Sequence, residues 1–256
     1  MNHKPKVAFF DFTSCEGCQL QIINLEEEIP EIVQKVEIVH FREAMTEKNE
    51  TYEIAFVEGS CTRHSEVNRL KRIRSQAKLV LALGACAHIA GINAIKNHFD
   101  MAESLDLVYG EHAHYFDTIP ARPISAVIPI DGAIPGCPIN KEEFKQVLID
   151  LLQGHQPTLP DYPVCLECKM NENVCLYHKG QTCLGPITRA GCNSWCPNFG
   201  APCLGCRGLV DEPNLGAAVT VLKEAGCKVD HILSDFAIFL NYDVVERLEK
   251  ETLANA

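Results

Sequence analysis

Short apolar runs recur along the first part of the chain and are separated by longer amphipathic segments. The runs predict strands over residues 6–12, 36–41, 54–59 and 79–84, with a weaker fifth over 123–129. Each run is short and largely apolar. The pattern is that of a sheet whose neighbouring strands are separated in sequence by other elements.

Between these runs, apolar residues recur at spacings of three and four, which predicts helices. The predicted helices cover residues 19–33 and 65–77, and a closing helix covers 141–152. Strands that alternate with helices imply right-handed crossovers and a parallel sheet covered on both faces. The predicted fold class is therefore α/β, a flavodoxin-like doubly wound parallel sheet.

A Pro- and Gly-rich stretch at residues 154–163 marks the end of this first domain. We expect a flavodoxin-like domain over residues 1–155 and a second domain over 161–256. The second begins with eight cysteines between positions 165 and 206 and almost no periodic apolar pattern. Such a segment cannot build a core of its own, so we expect a smaller, irregular domain held together by bound metal.

The end of the chain returns to helical spacing from Leu215 onward. Apolar residues continue at this spacing as far as Val245 and Leu248. The pattern predicts a helical tail that packs on the second domain.

Composition and charge narrow the class of partner. The 256 residues are 46% hydrophobic and 22% charged, which is typical of a globular protein. The net charge of −11 disfavours nucleic acid and anionic lipid as partners. The first residues show no export signal, and no apolar run reaches the roughly 18 residues that span a bilayer. We therefore expect a cytoplasmic protein without a transmembrane segment.

Fourteen cysteines are the strongest departure from an ordinary composition. A reducing cytoplasm keeps cysteines from serving as structural disulfides, so metal or redox chemistry is the expected use.

The first candidate set begins with Cys15 and Cys18, which follow the first strand and open a helix. Thr13 and Glu16 stand at the spacing of a capping box for that helix. A helix start favours thiolates through its unpaired N–H groups and dipole. A lone C-x-x-C pair would also fit a thioredoxin-like redox site.

Cys86 and Cys137 extend this pair to four, because they follow the fourth strand and the last sheet segment. Ligands of an open parallel sheet bind beyond the carboxyl ends of the strands, so all four cysteines are expected at one edge. Four thiolates suit either a tetrahedral zinc ion or a cubane iron-sulfur cluster.

The second domain supplies eight further cysteines, which divide into two sets of four. In sequence order these are Cys165, Cys168, Cys175 and Cys183, then Cys192, Cys196, Cys203 and Cys206. An interleaved grouping, as in two-cluster ferredoxins, is the alternative. C-x-x-C pairs also occur in zinc ribbons. Three thiolate sites in one chain form a plausible electron relay, which favours iron-sulfur clusters over structural zinc.

Several motifs together resemble a known family, the small subunits of nickel-iron hydrogenases. They are D-F-T-S-C-E-G-C-Q, V-E-G-S, L-G-A-C-A, G-C-P, C-L-E-C, C-L-G-P-I-T-R-A-G-C-N-S-W-C-P and C-L-G-C-R-G, between residues 11 and 208. The similarity is greatest to the sulfhydrogenase and F420-nonreducing (viologen-reducing) types.

The resemblance implies three [4Fe-4S] clusters. The proximal cluster would be held by Cys15, Cys18, Cys86 and Cys137, the medial cluster by Cys192, Cys196, Cys203 and Cys206, and the distal cluster by Cys165, Cys168, Cys175 and Cys183. Cys165 takes the place of the histidine found in periplasmic members, and Cys196 completes a medial site with four thiolates. Both changes would lower the cluster potentials, because extra thiolates add negative charge.

The resemblance also implies electron transfer without bond chemistry on this chain. The nickel-binding R-x-C-G-x-C and D-P-C-x-x-C motifs of the family's large subunit are missing from the sequence. The expected partners are a nickel-iron hydrogenase large subunit and a further acceptor subunit of flavin, ferredoxin-like or heterodisulfide reductase type.

Several residues near the candidate sites are expected to have surface or packing roles. Glu16 and Glu58 are expected as solvated carboxylates at the strand ends, although a role at the subunit interface or in proton movement is the alternative. Cys61 and Cys227 are the two cysteines outside the three sets, and both are expected to serve packing. Trp195 and Phe199 are expected to pack around the medial cluster.

Three other functions compete with this interpretation. The cluster subunit of respiratory complex I shares the N-terminal fold, but it carries two adjacent cysteines where this chain has C-E-G-C and lacks the eight-cysteine extension. A zinc-stabilised scaffold would be colourless and redox-silent. A free-standing ferredoxin-like carrier is disfavoured because the proximal site sits at a strand edge that resembles a docking face.

Overall fold

A computed structural model describes residues 4–242 and 244 of the chain. The chain divides into two compact units, Met1–Thr158 and Leu159–Ala256. The division falls inside the Pro- and Gly-rich stretch. Val245 and Leu248 of the predicted helical tail lie outside the described residues.

Unit 1 is built on a five-stranded parallel sheet. The strands are β1 (Lys6–Asp11), β2 (Glu37–Phe41), β3 (Ile54–Glu58), β4 (Leu79–Leu83) and β5 (Gly132–Ile134). Their order in the sheet is β2-β1-β3-β4-β5, and each neighbouring pair is parallel. This is the flavodoxin-like order, so the predicted α/β doubly wound class is confirmed.

The fifth strand lies later in the sequence than predicted. β5 pairs with β4 from Gly132 onward, whereas residues 123–129 contain the short 3-10 helix Ile124–Ala126. Proline has no N–H to give to a sheet ladder, and prolines stand at both ends of that segment. Its isoleucines are buried as core side chains without forming a strand.

Helices cover both faces of the sheet. They are α1 (Gly17–Ile23), α2 (Ile29–Lys35), α3 (His64–Gln76), α4 (Gly84–Ile89), α5 (Met101–Tyr109) and α6 (Lys141–Leu152), with 3-10 helices at Glu26–Glu28, Gly91–His98 and Gly110–Tyr115. The single helix predicted over residues 19–33 is wrong, because the chain leaves the α-helix after Ile23 and starts again at Ile29. Pro30 occupies the first turn of the new helix, where a missing N–H costs nothing.

Alternate residues of each strand enter two separate cores, one on each face. Phe10 and Val57 pack with α3, through Leu70 and Ile73. Phe9 and Phe56 pack on the other face against α1 and α6, where Phe56 lies 5.2 Å from the Phe144 ring. The period of two along a strand produces this division and fixes the register of the sheet.

Unit 2 is mostly irregular. Its helices are α7 (Val164–Met170), α8 (Trp195–Asn198), α9 (Leu215–Glu224) and α10 (Val229–Phe239), with a 3-10 helix at Leu176–Lys179. The Arg189 guanidinium, almost fully buried, donates to the Pro160 carbonyl at 2.7 Å and pairs with Asp211. Helices α9 and α10 contact each other, and the side chains of Leu222 and Phe236 on them are buried.

Candidate functional site

The carboxyl ends of three strands bring the first set of four cysteines to one edge of unit 1. Cys15 follows β1, Cys18 lies in the first turn of α1, Cys86 lies in α4 directly after β4, and Cys137 follows β5. Ala85 N–H donates to the Gly136 carbonyl at 2.7 Å, which ties the Cys86 and Cys137 segments together. These placements match the edge expected from the sequence.

The thiols of this set act on one another electrostatically. The pKa of Cys86 is raised to about 12, first by burial and then by the charges of Cys137 and Cys15. Burial is also the main cause that raises the pKa of Cys18, followed by Glu58, with smaller effects of Cys137 and Cys86. Cys15 and Cys137 are exposed whereas Cys18 is buried. Thiols of this kind stay protonated until a metal centre takes them as thiolates, and binding then releases protons.

Glycines leave the space that the Cys18 and Cys15 sulfurs occupy. A Cβ on Gly84 would lie 2.3 Å from Cys18 Sγ, and Gly84 has a φ of +83° that side chains rarely adopt. A Cβ on Gly17 would lie 3.3 Å from Cys15 Sγ. At Gly84 the backbone therefore approaches a sulfur as closely as only glycine allows.

A buried glutamate, Glu58, holds the start of α1. Its carboxylate accepts the N–H groups of Cys18 at 3.1 Å and of Gln19 at 3.0 Å. Glu58 is only 2% exposed, so its interpretation as a solvated carboxylate is wrong. Burial raises its pKa, while the bonds from Cys18 and Gln19 oppose the shift.

The capping box predicted for this helix is also wrong. Glu16 stands at the N-cap in a left-handed conformation with a φ of 62°, and it makes no side-chain capping bond. Thr13 Oγ1 instead pairs with Thr62 Oγ1 at 2.6 Å. Glu58, forty residues away in sequence, does the capping that a local motif was expected to do.

Cys61 belongs to the hydrophobic core rather than to the cysteine edge. Its side chain is fully buried in the core that also contains Leu70 and Ile73. Its backbone pairs with Arg122. This position agrees with its predicted packing role.

The four cysteines of the predicted distal set interact with one another in unit 2. Burial raises the pKa of Cys165 to about 12, and Cys183, Cys168 and Cys175 raise it in that order. A Cβ on Gly185 would lie 3.2 Å from Cys165 Sγ and 3.6 Å from Cys183 Sγ.

Among the described residues, the cysteines of the predicted medial set interact with one another less than those of the distal set do. Burial raises the pKa of Cys203, and Cys183 and Cys206 contribute. Burial raises the pKa of Cys192, and the positive charge of Arg207 opposes this shift. Cys196 lies exposed on α8, four residues after Cys192.

One hydrogen bond joins the two sets of unit 2. Cys203 N–H donates to Cys183 Sγ at 3.3 Å. Cys227 lies between α9 and α10, and its charge acts on Tyr177, whose hydroxyl donates to the Cys183 carbonyl at 2.8 Å. Cys227 is therefore near the distal set, a position that its place in the sequence did not indicate.

The rings of Trp195 and Phe199 contact each other at an interplanar angle of 55°, with centroids 5.1 Å apart. Trp195 is 65% exposed and Phe199 is 74% exposed, and their packing around the medial cluster stays a prediction.

Within the described residues, no group of three or more His, Cys, Asp or Glu side chains is arranged to hold a metal ion. A cubane cluster places each of its four thiolates on a different iron atom.

Among the described helices, none has the length and apolar character needed to cross a membrane.

The fold and the cysteines at the carboxyl edge of its sheet indicate an oxidoreductase subunit. Comparison with known proteins identifies its family. Residues 15–151 match the family described as NADH ubiquinone oxidoreductase, 20 Kd subunit. The chain is 37% identical to sulfhydrogenase 2 subunit delta of Pyrococcus furiosus, over 86% of this chain and 92% of the relative. It is 33% identical to a subunit of the F420-non-reducing hydrogenase vhu of Methanocaldococcus jannaschii, over 86% of this chain and 88% of the relative.

A solved structure shares the fold. An NAD+-reducing [NiFe]-hydrogenase in the H2-reduced state superposes with a TM-score of 0.56 at 24% identity, over 62% of this chain and 96% of that chain.

The chain belongs to the family of nickel-iron hydrogenase small subunits. It is thus one subunit of a hydrogenase complex, an oxidoreductase that acts on hydrogen and has its catalytic site on the large subunit.

Proposed function

We propose that this chain relays electrons through three [4Fe-4S] clusters, between the nickel-iron site of the large subunit and an acceptor subunit. The observation that carries the proposal is the meeting of Cys15, Cys18, Cys86 and Cys137 at the carboxyl edge of a parallel sheet. Four sulfur donors suit a cubane cluster, and the hydrogenase relatives favour this over zinc.

Each set of four cysteines is assigned to one cluster in this proposal. The proximal ligands are Cys15, Cys18, Cys86 and Cys137, the medial ligands Cys192, Cys196, Cys203 and Cys206, and the distal ligands Cys165, Cys168, Cys175 and Cys183. The mutual effects of Cys165, Cys168, Cys175 and Cys183 on their pKa values support the distal grouping. The hydrogen bond between Cys203 and Cys183 supports medial and distal sites that are neighbours.

When bound, a [4Fe-4S] cluster takes up and releases one electron at a time without a change in its ligands. The residues of this chain hold the thiolates in place and limit the access of water. Glu58 fixes the backbone of Cys18, and both are buried. The Cys203 N–H stabilises negative charge on the Cys183 sulfur, which favours the reduced state of the site it serves.

The electrons are proposed to leave through a further subunit of flavin, ferredoxin-like or heterodisulfide reductase type. A cytoplasmic location stays a prediction from the sequence.

Elemental analysis of the natively and anaerobically purified complex tests the proposal. We expect about twelve iron atoms on this chain, with nickel on the larger subunit. Iron without nickel would contradict a role beside a nickel-iron site. Stoichiometric zinc with little iron would overturn electron transfer altogether.

Single and paired alanine variants test the grouping within the same experiment. Cys175→Ala and Cys196→Ala should each remove about four irons, and the pair together about eight. Cys165→Ala combined with Cys175→Ala should still remove about four, because both belong to one set. Cys61→Ala is the matched control and should keep all the iron. An interleaved grouping in which Cys183 and Cys206 change places predicts that Cys165→Ala combined with Cys183→Ala removes about eight irons, where the grouping in sequence order predicts about four.

A further inference from the structure

Glu167 lies on α7 between two cysteines of the distal set, yet its carboxylate contacts the loop that carries Cys192. Oε1 accepts the Gly191 N–H at 2.7 Å, and Oε2 accepts the Ser194 N–H at 2.9 Å. Cys192 Sγ lies 3.9 Å from Oε2. One carboxylate therefore touches the backbone on both sides of Cys192 as well as its sulfur.

The Cys192 loop has a backbone conformation that needs such support. Asn193 and Ser194 are both left-handed, with φ values of 53° and 49°, and Ser194 is fully buried. Consecutive left-handed residues other than glycine cost conformational energy. Charge-assisted hydrogen bonds to Glu167 offset part of that cost. Asn171, also from the α7 end, adds bonds to Asn193 Oδ1 and Ser194 Oγ, each at 2.9 Å.

The Cys192 sulfur also lies under the influence of two opposite charges. The negative charge of Glu167 and the positive charge of Arg207 act on this sulfur with opposite sign. Arg207 is 1% exposed, and its Nε donates to the Ala190 carbonyl at 2.7 Å. As a cluster ligand, Cys192 would be a thiolate with the Glu167 carboxylate 3.9 Å from its sulfur.

We propose that Glu167 is a positioning residue that holds the Cys192 loop and lowers the reduction potential of the cluster to which Cys192 binds. The inference rests on the proposed function, in which Cys192 is a medial ligand. Reduction adds one electron to that cluster from the preceding cluster, which is oxidised in turn, and no proton or bond is exchanged. A fixed negative charge beside the sulfur disfavours the added electron.

An EPR-monitored redox titration of the complete complex carrying Glu167→Gln tests the inference. The one-electron step that disappears in Cys196→Ala identifies the medial cluster. At a fixed potential, Glu167→Gln should raise the ratio of reduced to oxidised medial cluster about tenfold, which equals a positive shift of about 59 mV for one electron. Glu224→Gln, at the exposed end of α9, makes the same change in net charge and should leave every step in place.

The outcomes separate this inference from the proposed function. About twelve irons in both variants with no shift in Glu167→Gln would refute the role of Glu167 alone. A wild-type chain without iron would refute the proposed function, and this inference with it. If Glu167→Gln loses iron, the Glu167→Asp variant tests the role of the charge, because aspartate keeps it. Iron and potential restored by aspartate support the proposal, whereas iron absent from both variants overturns it.

Discussion

Replacing Gly84 by alanine is expected to remove about four of the iron atoms on this chain and to abolish hydrogen-dependent reduction of an added acceptor. A Cβ at this position would lie 2.3 Å from Cys18 Sγ and 3.5 Å from the Gly136 carbonyl oxygen. Non-bonded carbon and sulfur atoms do not approach so closely, so the Cys18 sulfur has to leave its place among the proposed proximal ligands. Iron content and hydrogen uptake of the purified complex measure the effect.

Gly154→Ala is the matched control for this variant. Gly154 has a φ of +78°, close to the +83° of Gly84, but no atom lies within 4 Å of the added Cβ. Both variants carry the strain of a left-handed side chain, about 1 to 2 kcal/mol, and only one displaces a sulfur. Gly84→Ala with a full complement of iron would show that Cys18 does not bind the cluster. Equal loss of iron in both would assign the effect to backbone strain.

The sheet of unit 1 was predictable because its strands are short, apolar and regularly separated. Four of the five strands lie where the apolar runs predicted them, and their parallel order follows from the helices between them. β5 was misplaced because it is only three residues long and begins at Gly132, so it has no apolar run to reveal it. The isoleucines of residues 123–129 are buried as core side chains without forming a strand, and their apolar run is the stronger indication of a strand in the sequence.

The cysteine edge was predictable for a topological reason. Parallel strands direct whatever follows them to the same side, so Cys15, Cys86 and Cys137 had to come together. The residues that hold these cysteines in place could not be predicted in the same way. Glu58 ends a fully buried strand, but the sequence does not show that α1 covers it. The local capping motif was therefore preferred over a partner forty residues distant.

Unit 2 shows the limit of reasoning from spacing. The order of its eight cysteines suggested two sets, and Cys165, Cys168, Cys175 and Cys183 do influence one another. The contact between Glu167 and the Cys192 loop joins one set to the other, and no periodic pattern indicates it. Such links depend on how the irregular chain of unit 2 folds, which no periodic sequence pattern records.

Glu58→Ala is expected to destabilise unit 1 and to empty the proximal site. The change leaves the N–H groups of Cys18 and Gln19 without an acceptor inside the protein, where water does not replace the carboxylate. Each buried N–H that loses its partner costs about 1 to 3 kcal/mol. The start of α1, which carries Cys18, loses its anchor at the same time. Thermal unfolding and iron content together measure the two effects.

Glu66→Ala provides the comparison, because Glu66 also accepts two backbone N–H groups at a helix start. Its Oε2 receives Thr62 N–H at 2.8 Å and Arg63 N–H at 3.1 Å, but the residue is half-buried and water can take its place. We expect this variant to cost about 1 kcal/mol and to keep its iron. Glu58→Gln, which retains one acceptor oxygen, should fall between wild type and Glu58→Ala in both measurements. If Glu58→Ala kept all its iron while losing stability, Glu58 would stabilise the fold without holding Cys18 in place, and the anchoring role argued for it would be wrong.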